Sequence, residues 1–251
     1  MNTGKTESVK DAVWSSTGYV PVRAHRCRVI ISALERHCRL EGASALDIGC
    51  GSGILARALA ERGAAVTGLD PDEASCAAAE KLCGGKARFL RLTAERAGEV
   101  PGDFDIVIMS EVLEHLEDDL GALKVAAEKI RPGGLFLATV PIWPAYWSGV
   151  DEADGHYRRY EPEALPAAAA EAGLKVLGTR RFHWLYYRAQ QAYLRLSGKS
   201  FYSEGVFGDG RLPSLHVRLG AAAVFALDGL FSALGLGAHM LVLARKPGPQ
   251  G

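Results

Sequence analysis

Two clusters of titratable side chains stand at spacings that could do chemistry. The first is Glu111-Val112-Leu113-Glu114-His115. If this stretch turns helically, spacings of three and one bring Glu111, Glu114 and His115 together, and two carboxylates with one imidazole suit a hard or borderline cation. An imidazole titrating near neutrality could instead take a proton from a phenol or hydroxyl, which makes His115 a candidate general base. The second cluster is Asp151-Glu152-Ala153-Asp154-Gly155-His156-Tyr157-Arg158-Arg159-Tyr160. There His156 is a second acid-base group or a further metal ligand. Arg158 and Arg159 either pair with Glu111 or Asp151 or bind an anionic substrate group.

A third feature binds rather than reacts. Ala45-Leu46-Asp47-Ile48-Gly49-Cys50-Gly51-Ser52-Gly53-Ile54-Leu55 reads as an apolar strand, a turn with glycine at alternate positions, and the start of a helix. Gly49, Gly51 and Gly53 permit positive φ and leave no β-carbon to hold a ligand off the backbone. Dinucleotides and adenosyl compounds both use such a turn. The dinucleotide fingerprint needs a third glycine where this chain has Ile54, and a carboxylate at Asp47 would repel a pyrophosphate but suits an ammonium and a sulfonium. Asp70 ends the next apolar strand, at a spacing that lets it accept both hydroxyls of a ribose.

The elements that must position these groups alternate between strand and helix. A helix is expected over Val22–Arg39, with Arg23, Arg26 and Arg28 at its start. After the glycine turn come a helix over Ile54–Arg62 with Gly63 at its C-terminal turn, a strand ending at Asp70, and a helix from Pro71 at N1 to about Leu82, stopped by Gly84-Gly85. Ala87–Leu92 reads as strand three. The run Phe104–Met109 reads as a strand buried on both faces, which delivers Ser110 to Leu116 to its carboxyl end. A helix over Asp118–Ile130 and a strand over Leu135–Val140 follow. The next loop, Pro141 to Trp147, carries Trp143, Tyr146 and Trp147, three rings expected to wall a substrate pocket. Helix Pro162–Ala172 and strand Leu174–Thr179 complete the alternation. Beyond them lie a helical stretch over His183–Leu196, a Gly/Ser-rich connection over Ser197–Pro213, an apolar helix over Leu215–Leu234 and a last strand over Ala238–Arg245.

These residues resemble the class I S-adenosylmethionine-dependent methyltransferases over roughly residues 20 to 182 plus the last strand. Leu46–Gly53 is similar to the family's first motif, Gly68-Leu69-Asp70 to its second, and Phe104–Ile108 to the strand before its fourth. Arg131-Pro132-Gly133-Gly134 is similar to the turn before its fifth strand. The resemblance implies an α/β, doubly wound, Rossmann-like seven-stranded sheet with strand seven antiparallel, plus a helical insertion before that strand. It implies S-adenosyl-L-methionine as cofactor, held by Asp47, Gly49, Gly51, Gly53, Asp70, Glu95 and Glu111. The family places an acid for the adenine amino group where this chain has Thr93, so either Glu95 or a backbone group takes that contact. Arg26 would reach the cofactor carboxylate. Glu-Val-Leu-Glu-His resembles a stretch of the quinone-biosynthesis O-methyltransferases and the small-RNA 2′-O-methyltransferases, where it can hold a divalent metal. Many other family members carry the same letters without one, and no metal is assigned here. His115 and His156 are the candidates for deprotonating the acceptor.

Composition bounds the rest. The 251 residues carry equal numbers of basic and acidic side chains, so no global field selects nucleic acid, and nucleic acid is not the expected partner. Five cysteines stand without a C-x-x-C pair, which argues against structural zinc and a disulfide framework. Met1 to Lys10 is polar and of mixed charge, unlike a secretory signal, so the cytoplasm is expected. Residues 1–21 read as a tail, 22–182 as the methyltransferase core, 183–235 as a helical insertion or lid, and 236–251 as the last core strand and tail. The aromatic and basic residues of that insertion suit a lid or a peripheral membrane contact. The expected acceptor is a small molecule, aromatic or lipid-like, methylated on oxygen. The rival readings are a metal-assisted RNA 2′-O-methyltransferase, a nicotinamide dehydrogenase, and a non-catalytic adenosyl-binding or membrane-associated protein.

Overall fold

The computed structural model describes residues 21–197 and 215–248. The tail through residue 20 and nearly all of the Ser197–Pro213 connection lie outside the described residues. In chain order the elements are α1 (Pro21–Glu35), β1 (Ser44–Ile48), α2 (Ile54–Ala60), β2 (Ala65–Asp70), α3 (Glu73–Cys83), β3 (Ala87–Arg91), β4 (Phe104–Ser110), α4 (Asp119–Glu128), β5 (Ile130–Pro141), α5 (Gly149–Ala153), α6 (Ala164–Glu171), β6 (Lys175–Phe182), α7 (Trp184–Ser197), α8 (Leu215–Ala233) and β7 (His239–Arg245).

The strands form one seven-stranded sheet in the order β3-β2-β1-β4-β5-β7-β6. Pairing is parallel from β3 through β5, and β7 runs antiparallel between β5 and β6. Helices cover both faces, so each inner strand must be apolar on both sides. In β4, Ile106 and Ile108 join one core with α1, α2 and α3, while Val107 and Met109 join the other with α4 and α6. All four are at most 1% exposed. Burying each contributes about 1.5–3 kcal/mol, an upper figure because a denatured chain already hides part of that surface. The chain winds from β1 to β3 in one direction and then crosses to β4 on the other side. The carboxyl ends of β1 and β4 therefore face a crevice at the switch point, where such sheets bind ligands.

Element boundaries differ from expectation where tertiary contacts decide. α1 stops at Glu35, and the turn closed by His37 and Cys38 donating to the Leu34 carbonyl returns Leu40 to the core. Asp72 caps α3 by accepting from the Ser75 N–H at 2.9 Å, so Pro71 stands before the cap, not at N1. α4 ends at Glu128, and Ile130 opens β5. β5 is longer than the Leu135–Val140 expected, extended by mutual backbone hydrogen bonds of Gly133 and Gly134 with Lys246. α7 and α8 form a helical hairpin between β6 and β7, with Trp184 against Phe231 and Tyr186 stacked on Phe225.

Candidate active site

The turn after β1 is built by conformation and by close approach. Gly49, Gly51 and Gly53 have φ of 72°, 50° and 79°. A β-carbon on Gly49 would lie 2.3 Å from Val112 Cγ2, and one on Gly53 would lie 2.8 Å from the Ala79 β-carbon. Gly53 therefore serves the packing of α2 on α3. Gly49 and Gly51 line a cavity of about 760 Å³. Asp70 fixes the turn: its Oδ2 accepts from the Gly51 N–H at 2.9 Å and its Oδ1 from the Asp72 N–H at 3.0 Å.

Asp47 lines the same cavity. It is 2% exposed and its Oδ2 has no partner. Burial, reinforced by the charge of Asp70, pushes its carboxyl up to about 7. An unpartnered carboxylate beside an open glycine cradle suits a ligand that brings its own positive charge, and S-adenosylmethionine fits this donor set.

The end of β4 separates two glutamates by giving them opposite surroundings. Glu111 has φ 57°. Its Oε2 lies 3.2 Å from Arg26 Nη1 and 3.2 Å from His239 Nε2. Burial opposes ionisation, but Arg26 and His239 outweigh it and hold the Glu111 carboxyl well below the usual range. Arg26, expected over the cofactor carboxylate, is thus engaged by Glu111. Glu114 is fully buried, and neither carboxylate oxygen has a partner. Burial and the neighbouring Glu111 charge raise its carboxyl well above the usual range.

The residues that converge are accordingly Glu114, His115 and His156, not Glu111, Glu114 and His115. Each of the three offers one ligand atom, and these atoms lie within 4.8 Å of one another. The His115 and His156 rings meet edge to face at 4.6 Å. Burial and the adjacent His156 lower the His115 pKa.

His156 is held from behind. Asp151, buried in α5, accepts from His156 Nδ1 at 3.0 Å and from Arg159 Nε at 2.7 Å through Oδ1. Its Oδ2 accepts from the Ser148 N–H and hydroxyl in a capping box. Burial works against the Asp151 charge, but these donors bring its pKa down to about 2. With Nδ1 protonated toward an ionised carboxylate, the neutral ring keeps Nε2 as a base. Arg158 donates to Asp119 Oδ1 at 2.7 Å and to the Glu117 carbonyl. Both arginines are thereby spent on acids of the scaffold: Arg159 on Asp151, one of the two partners expected, and Arg158 on Asp119, which was not among them.

The aromatic loop takes a different role from the one expected. The Trp143 indole donates to the Gly237 carbonyl at 2.9 Å and lies under Arg181, and Trp147 donates to Glu152. Tyr146 stacks on Tyr187 at 4.6 Å. The cavity wall is made instead by Tyr186, Tyr187 and Gln190 of α7. Glu95 is exposed in a short helical turn whose Ala94 and Ala97 face inward, and it does not line the cavity. His239 is a lining residue that sequence reasoning missed; its only signal is a histidine opening a last strand whose next five residues are apolar.

Comparison with known proteins gives these positions a context. Residues 22–179 match a family model described as a methyltransferase domain. The ubiquinone biosynthesis O-methyltransferase of Pseudomonas aeruginosa PAO1 is 38% identical over 163 residues, covering 58% of this chain and 70% of that protein. The protein of the same name from Nitrosospira multiformis is 36% identical over 160 residues, covering 57% and 67%. Among solved structures, a putative sarcosine dimethylglycine methyltransferase from Galdieria sulphuraria superposes with a TM-score of 0.61 at 16% identity, over 90% of this chain and 86% of that one. Magnesium protoporphyrin IX methyltransferase from Synechocystis PCC 6803 with bound SAH gives 0.57 at 15% identity, over 98% and 90%. At these identities the structural likeness speaks for the fold alone.

Proposed function

Since the chain belongs to the class I S-adenosylmethionine-dependent methyltransferases, we propose that it methylates an oxygen of a small aromatic or lipid-like molecule, with His156 as the general base. The observation that carries this reading is one cavity lined by two unlike sets of groups. The glycine turn and unpartnered Asp47 are one, and His156, backed by Asp151, is the other. When bound, S-adenosylmethionine supplies a methyl group on a sulfonium. Asp47 would take its ammonium, and Gly49 and Gly51 would let it lie against the backbone. Asp70 would share its carboxylate with the ribose, and Gly53 would keep the turn in place. Glu111 would hold Arg26 and His239 at the wall, and a backbone group, not the exposed Glu95, would meet the adenine amino group. His156 Nε2 would take the acceptor proton, and Tyr186 and Tyr187 would exclude water and orient a ring. Such orientation can supply about 7–11 kcal/mol of a methyl-transfer barrier.

An oxygen acceptor is supported by the likeness to the ubiquinone biosynthesis O-methyltransferases. The five free cysteines suit the cytoplasm. Residues 22–182 and the last strand would form the catalytic core, with 183–235 as a lid. A second reading is favoured by the convergence of Glu114, His115 and His156, which could together take a divalent cation that lowers the acceptor pKa.

The test is calorimetric titration with S-adenosylmethionine, followed by radiolabelled methyl transfer to a panel of catechols and phenols with and without apolar tails. Binding together with transfer to a phenolic oxygen is the expected result. Transfer only to amines or to RNA would overturn the acceptor class.

A further inference from the structure

α8 shows an outward face opposite in character to that of an ordinary surface helix. Its buried side contains Phe225 and the charged Asp228, while Gly220, Ala223, Ala226, Leu227 and Leu230 all face outward, continued past its end by Leu234. Leu227, Leu230 and Leu234 are 50%, 65% and 74% exposed. The i, i+3, i+7 spacing makes this one stripe, and among the described residues no charged side chain interrupts it. Three exposed leucines in one uninterrupted line form a contiguous apolar surface, and its surroundings decide what it can meet.

Charge and area decide which partner. The three elements packed against α8 are α1, β6 and α7. Five of their lysine and arginine residues are exposed, Arg23 and Arg28 of α1, Lys175 of β6 and Arg188 and Arg195 of α7, whereas Arg26 pairs with Glu111, Arg180 donates to Ser232 and Arg181 to the Gly235 carbonyl. The single acid among them, Glu35, is paired with Arg62. Asp228 is consumed inside the hairpin, where it accepts the His183 and Leu185 N–H groups. In a chain of zero net charge this is a local basic excess on the elements that flank an apolar ridge. From Gly220 to Leu234 the stripe is about 21 Å long and about 10 Å wide, some 200 Å² in all. A stable protein interface needs about 800 Å² per partner. Leucines that enter the acyl boundary, flanked by exposed basic side chains that meet phosphates, need no such area.

We propose that the outward face of α8 docks on a bilayer surface carrying anionic lipid headgroups. Contact is peripheral, since no described helix is long and apolar enough to cross a membrane. α7, packed on α8, turns Tyr186, Tyr187 and Gln190 into the cavity, so docking sets the cavity wall beside the lipid. This surface stands independently of the methyl acceptor.

The full chain is tested by co-sedimentation with vesicles of phosphatidylcholine alone and of phosphatidylcholine mixed with phosphatidylglycerol, beside the exposed double variant Leu227→Glu/Leu230→Glu. The expected result is partitioning at least about tenfold stronger on the anionic vesicles, and a loss of similar size in the variant. The variant should keep the wild-type melting temperature and its affinity for S-adenosylmethionine. No binding to either vesicle, or binding the variant leaves unchanged, overturns the proposal. A dimer in light scattering that the variant dissociates, without vesicle binding, overturns it in favour of a second copy.

Discussion

Asp151 accepts the Nδ1–H of His156 at 3.0 Å while the same oxygen holds Arg159 at 2.7 Å. The carboxylate therefore fixes the imidazole tautomer and also neutralises a nearly buried guanidinium. His156→Gln is expected to lower kcat by about 10²–10⁴, the usual contribution of a positioned base, with little change in S-adenosylmethionine affinity. Asp151→Asn should cost less in kcat. Asp151→Ala should destabilise the fold by about 3–5 kcal/mol, because it strands the Arg159 charge. Single-turnover rates and urea unfolding separate the two effects, and an unchanged rate in His156→Gln refutes the base assignment.

Asp47 predicts a pH dependence of cofactor binding. Its pKa is raised to about 7 in the free protein, so at pH 6 most molecules hold a proton there. A cationic ligand favours the ionised form, and binding must expel that proton. Affinity should rise up to about tenfold per unit as pH climbs toward 7. It should level off above that, and decline once the ligand's own amine begins to deprotonate near about 8. Calorimetry in buffers of different ionisation enthalpy would read the proton release directly. Asp47→Asn should bind at least about tenfold more weakly with a flatter profile below pH 7, and a wild-type profile in that variant would place the ammonium elsewhere.

The same titration has an opposite sign for folding. Asp47 keeps its proton between its unfolded value of 3.8 and about 7, so its contribution to stability falls as pH rises through that window. His25, lowered to about 4 by burial and by Arg28 and Arg180, does the reverse: below 6.5 the unfolded chain takes a proton that the native chain refuses. Between pH 4 and 6.5 the two contributions oppose each other. Asp47→Asn is expected to steepen acid unfolding in that window, and His25→Phe to flatten it, as measured by denaturant midpoints across pH. An acid limb unchanged in both variants would show that neither group is perturbed as the geometry implies.

Much of this arrangement was legible because the signals were local. The run Phe104–Met109, the alternate glycines at 49, 51 and 53, and the density of the Asp151–Tyr160 stretch each follow from residues close in sequence. What escaped depends on long-range contacts. Glu111 leaves the expected cluster because a positive φ turns it toward Arg26 on α1 and His239 on β7, the latter 128 residues away. The tryptophans of the aromatic loop looked like pocket walls, but a half-buried indole N–H seeks an acceptor, and Trp143 finds one at Gly237. Tyr187 then takes the wall position, with Tyr146 stacked behind it.

Asp228 predicts where the helical hairpin is weakest. His183 has φ 62°, and its N–H reaches Asp228 Oδ2 at 2.6 Å, while the Leu185 N–H reaches Oδ1 at 2.9 Å. Removing both acceptors in Asp228→Ala should cost about 2–6 kcal/mol, one desolvation penalty for each N–H. Hydrogen exchange should rise first across residues 183–190, with β1 and β4 still protected. Uniform loss of protection would mean that the hairpin is not a separable unit.

His156 cannot serve both proposed chemistries with one atom. Asp151 occupies Nδ1, so a cation shared with Glu114 and His115 would take Nε2, the nitrogen needed for proton abstraction. Glu114 arbitrates, because it touches the cation set and not the Asp151 pair. Glu114→Gln replaces a carboxyl that burial and Glu111 push well above the usual range, so folding stability should change by less than about 1 kcal/mol. Manganese titration of wild type followed by electron paramagnetic resonance is the direct reading. Stoichiometric binding that Glu114→Gln abolishes, together with chelator-sensitive turnover, assigns the acceptor's activation to the cation. Full turnover in chelator with no bound manganese leaves proton transfer to His156 Nε2.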